Sequence, residues 1–328
     1  IGSFSSPSVT FGSTTLNCSG GSDGFIVKYD PNGAVVWATS IGGTGNDYFQ
    51  KILYSNGNLY VAAWSDSPQI DLNGSNVTND YVNYLLLMVI NASTGVVGNF
   101  KQLEGDLSEE VHLALNPSTG GIVVGGGYTD DLVIGGLTIP NVYTNHDDIF
   151  FMSFSSQFSF QWHRSYGGNY IDQVKDVAAD AAGNVYMLAV SRSPSLQFEM
   201  LNPQLFFSGG QNYLLGKWDA NGTLRYTRYA GGVGSDLQVS MTAGFPTGFV
   251  NVIGSCDGQF GYNSITLTTA GGKDLFLVRY DQTGSIVSAD LYGGTGNETS
   301  PVLTTSANGD IFFGGTSTSP SFSIGPNT

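Results

Sequence analysis

Short apolar runs alternate along the chain with turns that combine Asp or Asn with Gly, and they do so periodically. The run GFIVKYDPNGAVVW from Gly24 returns as YLLLMVINASTGVVGNF from Tyr84 and IFFMSFSSQFSFQW from Ile149. It returns again as YLLGKWDANGTLRY from Tyr213 and LFLVRYDQTGSIVS from Leu275. The aligned turn positions are Asp30, Asn91, Ser155, Asp219 and Asp281, spaced by 61, 64, 64 and 62 residues. Asp or Asn opens such a turn because its side chain bonds to the backbone ahead, and Gly closes it because it tolerates positive φ. Each copy therefore predicts a β-hairpin.

A second motif follows each hairpin. It reads IGGTGNDYFQKILYSNGNLYVAA from Ile41, LEGDLSEEVHLALNPSTGGIVVGG from Leu103 and YGGNYIDQVKDVAADAAGNVYMLA from Tyr166. It recurs as AGGVGSDLQVSMTAGFPTGFVNVIG from Ala230 and YGGTGNETSPVLTTSANGDIFFGG from Tyr292. A Gly-rich corner leads into one strand, and a turn such as SNGN or AAGN leads into a second that ends in small residues. Two hairpins in about 63 residues predict four strands per period. Together they predict an all-β chain forming a β-propeller of about five four-stranded blades, in preference to a solenoid.

On this reading residues 1–328 are one domain, with repeats at about 1–63, 64–126, 127–190, 191–254 and 255–315, and 316–328 beginning a further repeat. Blades counted from the corner start near Asp47, Glu109, Asp172, Asp236 and Glu298. The fifth lacks its last two strands, and Gly24–Ser40 supplies two at the other end. The expectation is that Thr299–Gly315 pairs with Gly24–Ser40, closing the ring with strands from both termini. SPSVTFG from Ser6 resembles SPSFSIG from Ser319, so two segments claim one place in a closed ring. The surplus suggests a tail, a continuation or a strand donated to a neighbour.

These residues resemble the bacterial SBBP-type β-propeller repeat family, whose repeats carry an aromatic–Asp turn, GGxGxD and a Gly-Asn turn into an aromatic-Val strand. The resemblance covers nearly the whole chain. It implies the fold and is almost silent on function. The second copy departs with LEGDLSEE for the Gly-rich corner, and the fourth with GFPTGF for the Gly-Asn turn.

Composition sharpens the class. Charged residues are 11% of the chain and Gly accounts for 46 of 328, a profile of turn-rich extracellular or cell-surface β proteins. The net charge of −15 disfavours nucleic acid and anionic membranes as partners. No apolar stretch is long enough for a membrane-spanning helix.

Candidate chemistry is sparse. Cys18 and Cys256, the two cysteines, fall in loops of neighbouring repeats, where a disulfide would secure the closure. His112, His146 and His163 show no metal-binding spacing, and packing or surface roles fit them better. Asp47, Asp172 and Asp236 recur at one corner position; they are weak Ca²⁺ candidates, with an Asx-type turn as the plainer reading. The acidic loop Asp71–Asp80 and the run Asn145–Asp148 offer oxygen ligands without an EF-hand spacing. The irregular insert Pro194–Gly209 holds one acid, Glu199, which is no carboxylate pair for glycoside hydrolysis. No nucleophile elbow or P-loop appears. The expectation is a protein that is not an enzyme and has no cofactor.

Sequons at Asn17, Asn73, Asn76, Asn91, Asn221 and Asn297 are possible N-glycosylation sites, and Pro117 excludes Asn116. Trp64 is the better candidate for stacking on a sugar, because Trp218 falls in an aromatic slot shared with Tyr29 and Tyr280. Two functional expectations follow, with a glycoside-acting enzyme third behind them. One is an extracellular structural or adhesive subunit that self-associates into a surface layer or filament. The other is a glycan- or protein-binding module.

Overall fold

The structure, a computed structural model, describes residues 1–72, 75–81, 83–141, 146–196, 205–206, 210–232, 234, 238–244, 248–262 and 265–324. Among these the chain is all-β, built from antiparallel sheets without a helix. Contacts divide it into two compact units. One is Ile1–Leu113 with Gly127–Asn145 and Gln157–Ser159; the other is Ala114–Gly126 with His146–Ser156 and Phe160–Thr328.

Four antiparallel meanders of four strands follow one another along the chain. The first orders Asp47–Ser55, Asn58–Ser65, Asn83–Asn91 and Val97–Gly105. The second orders Leu107–Leu115, Ile122–Tyr128, Asp148–Phe154 and Phe160–Tyr166. Asp172–Ala179, Val185–Ser191, Asn212–Trp218 and Leu224–Gly232 make the third. Val239–Ala243, Val250–Tyr262, Ile265–Tyr280 and Ile286–Gly294 make the fourth.

The middle strands explain the unbroken apolar runs. Val185–Ser191 and Asn212–Trp218 are buried at every residue, as expected of strands covered on both faces. Outer strands such as Val97–Gly105 are mostly exposed or half-buried. The turns follow the sequence logic. Asp30 Oδ1 accepts from the Asn32 and Ala34 amides, both at 2.8 Å, and Asp219 repeats this with Asn221 and Thr223. Gly33 sits at φ 84°, where a side chain would strain the turn.

Within the second unit, successive meanders pack side by side. Trp162 Nε1 donates to Ala220 O at 3.1 Å, and Arg228 donates to Gly284 O. On the other edge, Met241 N donates to Asp176 Oδ2 at 2.9 Å, and the Thr242 and Thr305 hydroxyls lie 2.7 Å apart. The first unit repeats the pattern: Trp37 Nε1 and Lys28 Nζ both donate to Ala92 O.

Two half-meanders remain, and here the structure corrects the sequence. Among the described residues no strand pairing joins Thr299–Gly315 to Gly24–Ser40. Asp23–Tyr29 lies between Gly2–Phe4 and Val35–Ile41, while Glu298–Thr305 and Ile311–Ser317 form a two-stranded sheet of their own. The reason is the duplicated segment. Gly2–Phe4 is the sequence equivalent of Gly315–Ser317, and it takes the edge of Asp23–Tyr29 in the register Gly2↔Phe25, Ser3↔Gly24, Phe4↔Asp23. Ser191↔Asn212 in the third meander is the same register. Phe322–Ser323 in turn pairs with Gly293–Gly294.

The long loops are a further difference. Several carry short hairpins: Ser8–Phe11 with Thr14–Asn17, Gln69–Leu72 with Ser75–Thr78, and Leu132–Ile134 with Leu137–Ile139. Most of the supposed acidic loop Asp71–Asp80 is therefore strand, and Ile70, Leu72 and Val77 from this hairpin enter the core of the first unit.

Candidate functional site

The Gly-rich corner is where buried polar chemistry recurs. Each corner follows a trailing hairpin that begins with Asp23, Asn83, Asp148, Asn212 or Asp274. For the three aspartates, an acid stands 24 residues on: Asp47, Asp172 and Glu298. All six carboxyl residues are at most 1% exposed.

The acid that opens the leading strand is held by a Ser-x-Ser element closing the same hairpin. Ser65 Oγ donates to Asp47 Oδ1, while Ser67 Oγ and Gly43 N donate to Oδ2, both at 2.8 Å. Ser191 and Ser193 repeat this on Asp172. Ser317 Oγ donates to Glu298 Oε1 at 2.6 Å, and Gly294 N donates to Oε2 at 2.9 Å. In each case the amide of the second serine donates to the hydroxyl of the first at 3.1 Å. A carboxylate thus knots the end of a middle strand to the corner.

The paired glycines follow from this arrangement. A β-carbon at Gly42 would run into the Asp23 carboxyl, one at Gly167 into Asp148, and one at Gly293 into Asp274. The next glycine carries the amide that donates to the second acid, as Gly43 does to Asp47. Its own β-carbon would strike Gln69 O and the Ser67 side chain. One glycine makes room for the first acid, and the other brings backbone up to the second.

Two repeats vary the scheme. The second has no Gly-Gly, yet keeps the knot one residue early. Asn83 Nδ2 donates to Asp106 Oδ1 at 3.0 Å, Leu107 N donates to Asn83 Oδ1 at 2.8 Å, and Thr129 Oγ1 donates to Asp106 Oδ2 at 2.7 Å. In the fourth, Asn212 lies against Gly231 in the place of the aspartates.

Burial raises the proton affinity of these acids. It pushes Asp172 up to about 6, against the pull of Ser191, Ser193 and the Gly168 amide. It raises Asp47, with Asp23 adding to the effect, and it raises Asp23 and Asp274. Burial acts the same way on Glu298, but hydrogen bonds from Ser317, Ser319 and Gly294 outweigh it and leave that acid below its usual value.

Asp47 and Asp172, two of the Ca²⁺ candidates, therefore spend their oxygens on serine hydroxyls and backbone amides; the third, Asp236, lies outside the described residues. Among the described residues no group of three or more His, Cys, Asp or Glu is placed to hold a metal ion. Glu199 and Asn145 also lie outside the described residues. His112 is buried with Glu110 3.4 Å away, and the His146 ring lies against Tyr170. Burial, followed by the neighbouring Arg164, lowers the His163 pKa.

The predicted Cys18–Cys256 disulfide is absent, and both are free thiols. Cys18 Sγ turns to the Phe4 and Gly20 carbonyls. Cys256 is not in a loop: the strand Val250–Tyr262 runs through it, in register with Asp274, and carries it into the core beside Tyr213, Phe260 and Phe276. Burial pushes its thiol up to about 12.

Trp64 is corrected in the same way. It is 7% exposed, stacked on Tyr48 with its N–H donating to Leu107 O, so it has no free face for a sugar. Trp218 is fully buried, as its aromatic slot implies. Of the sequons, Asn17, Asn76, Asn91, Asn221 and Asn297 are exposed, and Asn73 lies outside the described residues.

The Ser-x-Ser-Pro signature at Ser65, Ser191 and Ser317 was a readable signal for the knot, as was the 24-residue spacing of the acids. Compared with known proteins, the chain matches no protein-family model and no curated protein.

Proposed function

We propose that the chain is a non-catalytic, extracellular structural or adhesive protein of propeller-type repeats, a subunit that assembles head to tail with further copies. One observation carries the reading: among the described residues Ile311–Ser317 is a middle strand without its second neighbour. Its counterparts Asn58–Ser65, Val185–Ser191 and Val250–Tyr262 each pair with the trailing strand of the same meander. Among the described residues Ile311–Ser317 pairs only with Glu298–Thr305. Phe312 is 57% exposed and Val302 64%. Beside them lies an apolar groove of about 420 Å³, lined by Leu275, Phe313, Phe322 and Ile324 among others. Unpaired strand edges recruit strands.

The complementary piece is the half-meander Asp23–Ile41. Gly2–Phe4 covers only Asp23–Phe25 and leaves Ile26–Tyr29 open on that side. The repeat register sets Ile311 opposite Tyr29 and Ser317 opposite Asp23. A second copy offering Asp23–Tyr29 in exchange for its three-residue cover would complete a fifth blade, giving the SBBP-like repeat its full set of strands. A head-to-tail contact of this kind propagates.

Sedimentation velocity and negative-stain microscopy over a range of concentrations test the reading. The expected outcome is oligomers or fibres that grow with concentration and are lost in the Phe312→Lys, Val302→Lys double variant. A chain that stays monomeric throughout, or oligomers that ignore the double variant, would count against it.

A further inference from the structure

Three corners hold two buried acids, Asp23 with Asp47, Asp148 with Asp172, and Asp274 with Glu298. Two fully ionised carboxylates so placed are costly, since neither can be hydrated and each repels the other. No Lys or Arg takes part in the bonds to these carboxyls described above. At five of the six the groups facing them are neutral. They are Cys18 and the Ser19 amide at Asp23; Ser65, Ser67, the Gly43 amide and the nearby Tyr84 at Asp47; Ser191, Ser193 and the Gly168 amide at Asp172; the Ala270 amide and Cys256 at Asp274; and Ser317, Ser319 and the Gly294 amide at Glu298. At Asp47, Asp172 and Asp274 the charge that acts on each acid is that of the paired acid.

The chain contains its own control. In the second and fourth repeats the first acid is replaced by an amide, Asn83 and Asn212. Asn83 shows what the position is for: its Nδ2 donates to the acid across the corner, Asp106, at 3.0 Å. A carboxylate cannot donate, but a carboxylic acid can. Among the described residues Asp23 Oδ1 and Asp274 Oδ1 are buried and receive no hydrogen bond, a place that one proton shared with the paired acid would fill.

We propose that each of the three acid–acid corners holds one proton between its two carboxyls, making these joints pH-sensitive clasps, whereas the Asn83 and Asn212 corners are the pH-insensitive form of the same clasp. The proton stands in for the amide N–H. It belongs to the pair rather than to either residue. The inference goes beyond the assembly proposed above and does not depend on it.

The sign follows from linkage. The folded corners bind a proton that the unfolded chain releases near the ordinary carboxyl value of 3.8. The stabilisation is thus fully present below that value and is lost as pH rises through the folded value, about 6 for Asp172. This is opposite to the usual acid denaturation of paired carboxylates.

The test is thermal unfolding from about pH 4 to pH 8 of the wild type and of the triple variant Asp23→Asn, Asp148→Asn, Asp274→Asn, which converts every clasp to the Asn83 form. The wild-type midpoint should fall by roughly 5 °C or more across the window, and the triple variant should lose at least about half of that slope. A variant with the wild-type slope, or a wild type whose midpoint rises throughout the window, overturns the proposal. Infrared spectroscopy reads the wild type directly, in case the variant does not fold. A protonated-carboxyl carbonyl band at pH 5 that disappears towards pH 8 is expected, and no such band at pH 5 overturns it.

Discussion

Val185–Ser191 and Ile311–Ser317 occupy the same place in the repeat and meet opposite fates. Both follow a Gly-Asn or Gly-Asp turn, both are seven residues long, and both end on a serine that donates to a buried acid. The first is buried at every residue, and the second is buried at none. Sequence alone does not separate them, since IFFGGTS is as apolar at its start as VYMLAVS. What differs is the neighbour: Asn212–Trp218 completes the sheet beside Val185–Ser191, whereas among the described residues Ile311–Ser317 pairs with Glu298–Thr305 alone. Burial here is a property of the repeat array rather than of the strand, as in other architectures where each unit is stabilised by the next.

The largest effect should come from the interior member. Leu188→Ala removes a fully buried side chain and should cost about 2–5 kcal/mol in urea unfolding. A loss below about 1 kcal/mol would mean that this strand is no better packed than the terminal one. Next comes the corner. Gly293→Ala forces a β-carbon into the Asp274 carboxyl and should cost about 1–3 kcal/mol by the same measurement. Gly261→Ala, whose β-carbon meets only distant carbonyl oxygens near 3.8 Å, should be distinctly milder.

The turns rank third. Asp219→Ala deletes the acceptor for the Asn221 and Thr223 amides and should cost about 1 kcal/mol, read as a lowered unfolding midpoint. Smallest is Phe312→Ala. At 57% exposure it should change monomer stability by no more than about 0.5 kcal/mol, although the proposed assembly needs that residue. If Phe312→Ala destabilised the monomer as much as Leu188→Ala, the contrast between the two strands would collapse.

Much of the repeat could be read from residues. Asp30, Asp219 and Asp281 with their glycines announced the hairpins because turn chemistry is local. The continuous apolar runs announced middle strands because covering both faces removes the alternation. The corner was half legible. Asp47 and Asp172 stood out by recurrence, but their partners Asp23 and Asp148 lie 24 residues upstream and meet them only once the trailing hairpin folds back. The short hairpins were missed because SVTF with TTLN, or QIDL with SNVT, are four-residue strands of mixed polarity that look like loop. Trp64 and Cys256 were misread for one reason: strands ran further than the apolar run suggested and carried both inward. The pairing of the two chain ends was misassigned because Gly2–Phe4, three residues with little pattern of their own, takes the edge of Asp23–Tyr29.

Hydrogen exchange resolved to single strands, measured on dilute and concentrated protein, tests the central contrast most directly. Val185–Ser191 should be protected to the same degree at every concentration. Ile311–Ser317 should exchange quickly when dilute and gain protection, together with Ile26–Tyr29, as copies meet. Equal and strong protection of both strands at high dilution would contradict the account, because the terminal strand would then already have its neighbour within a single chain.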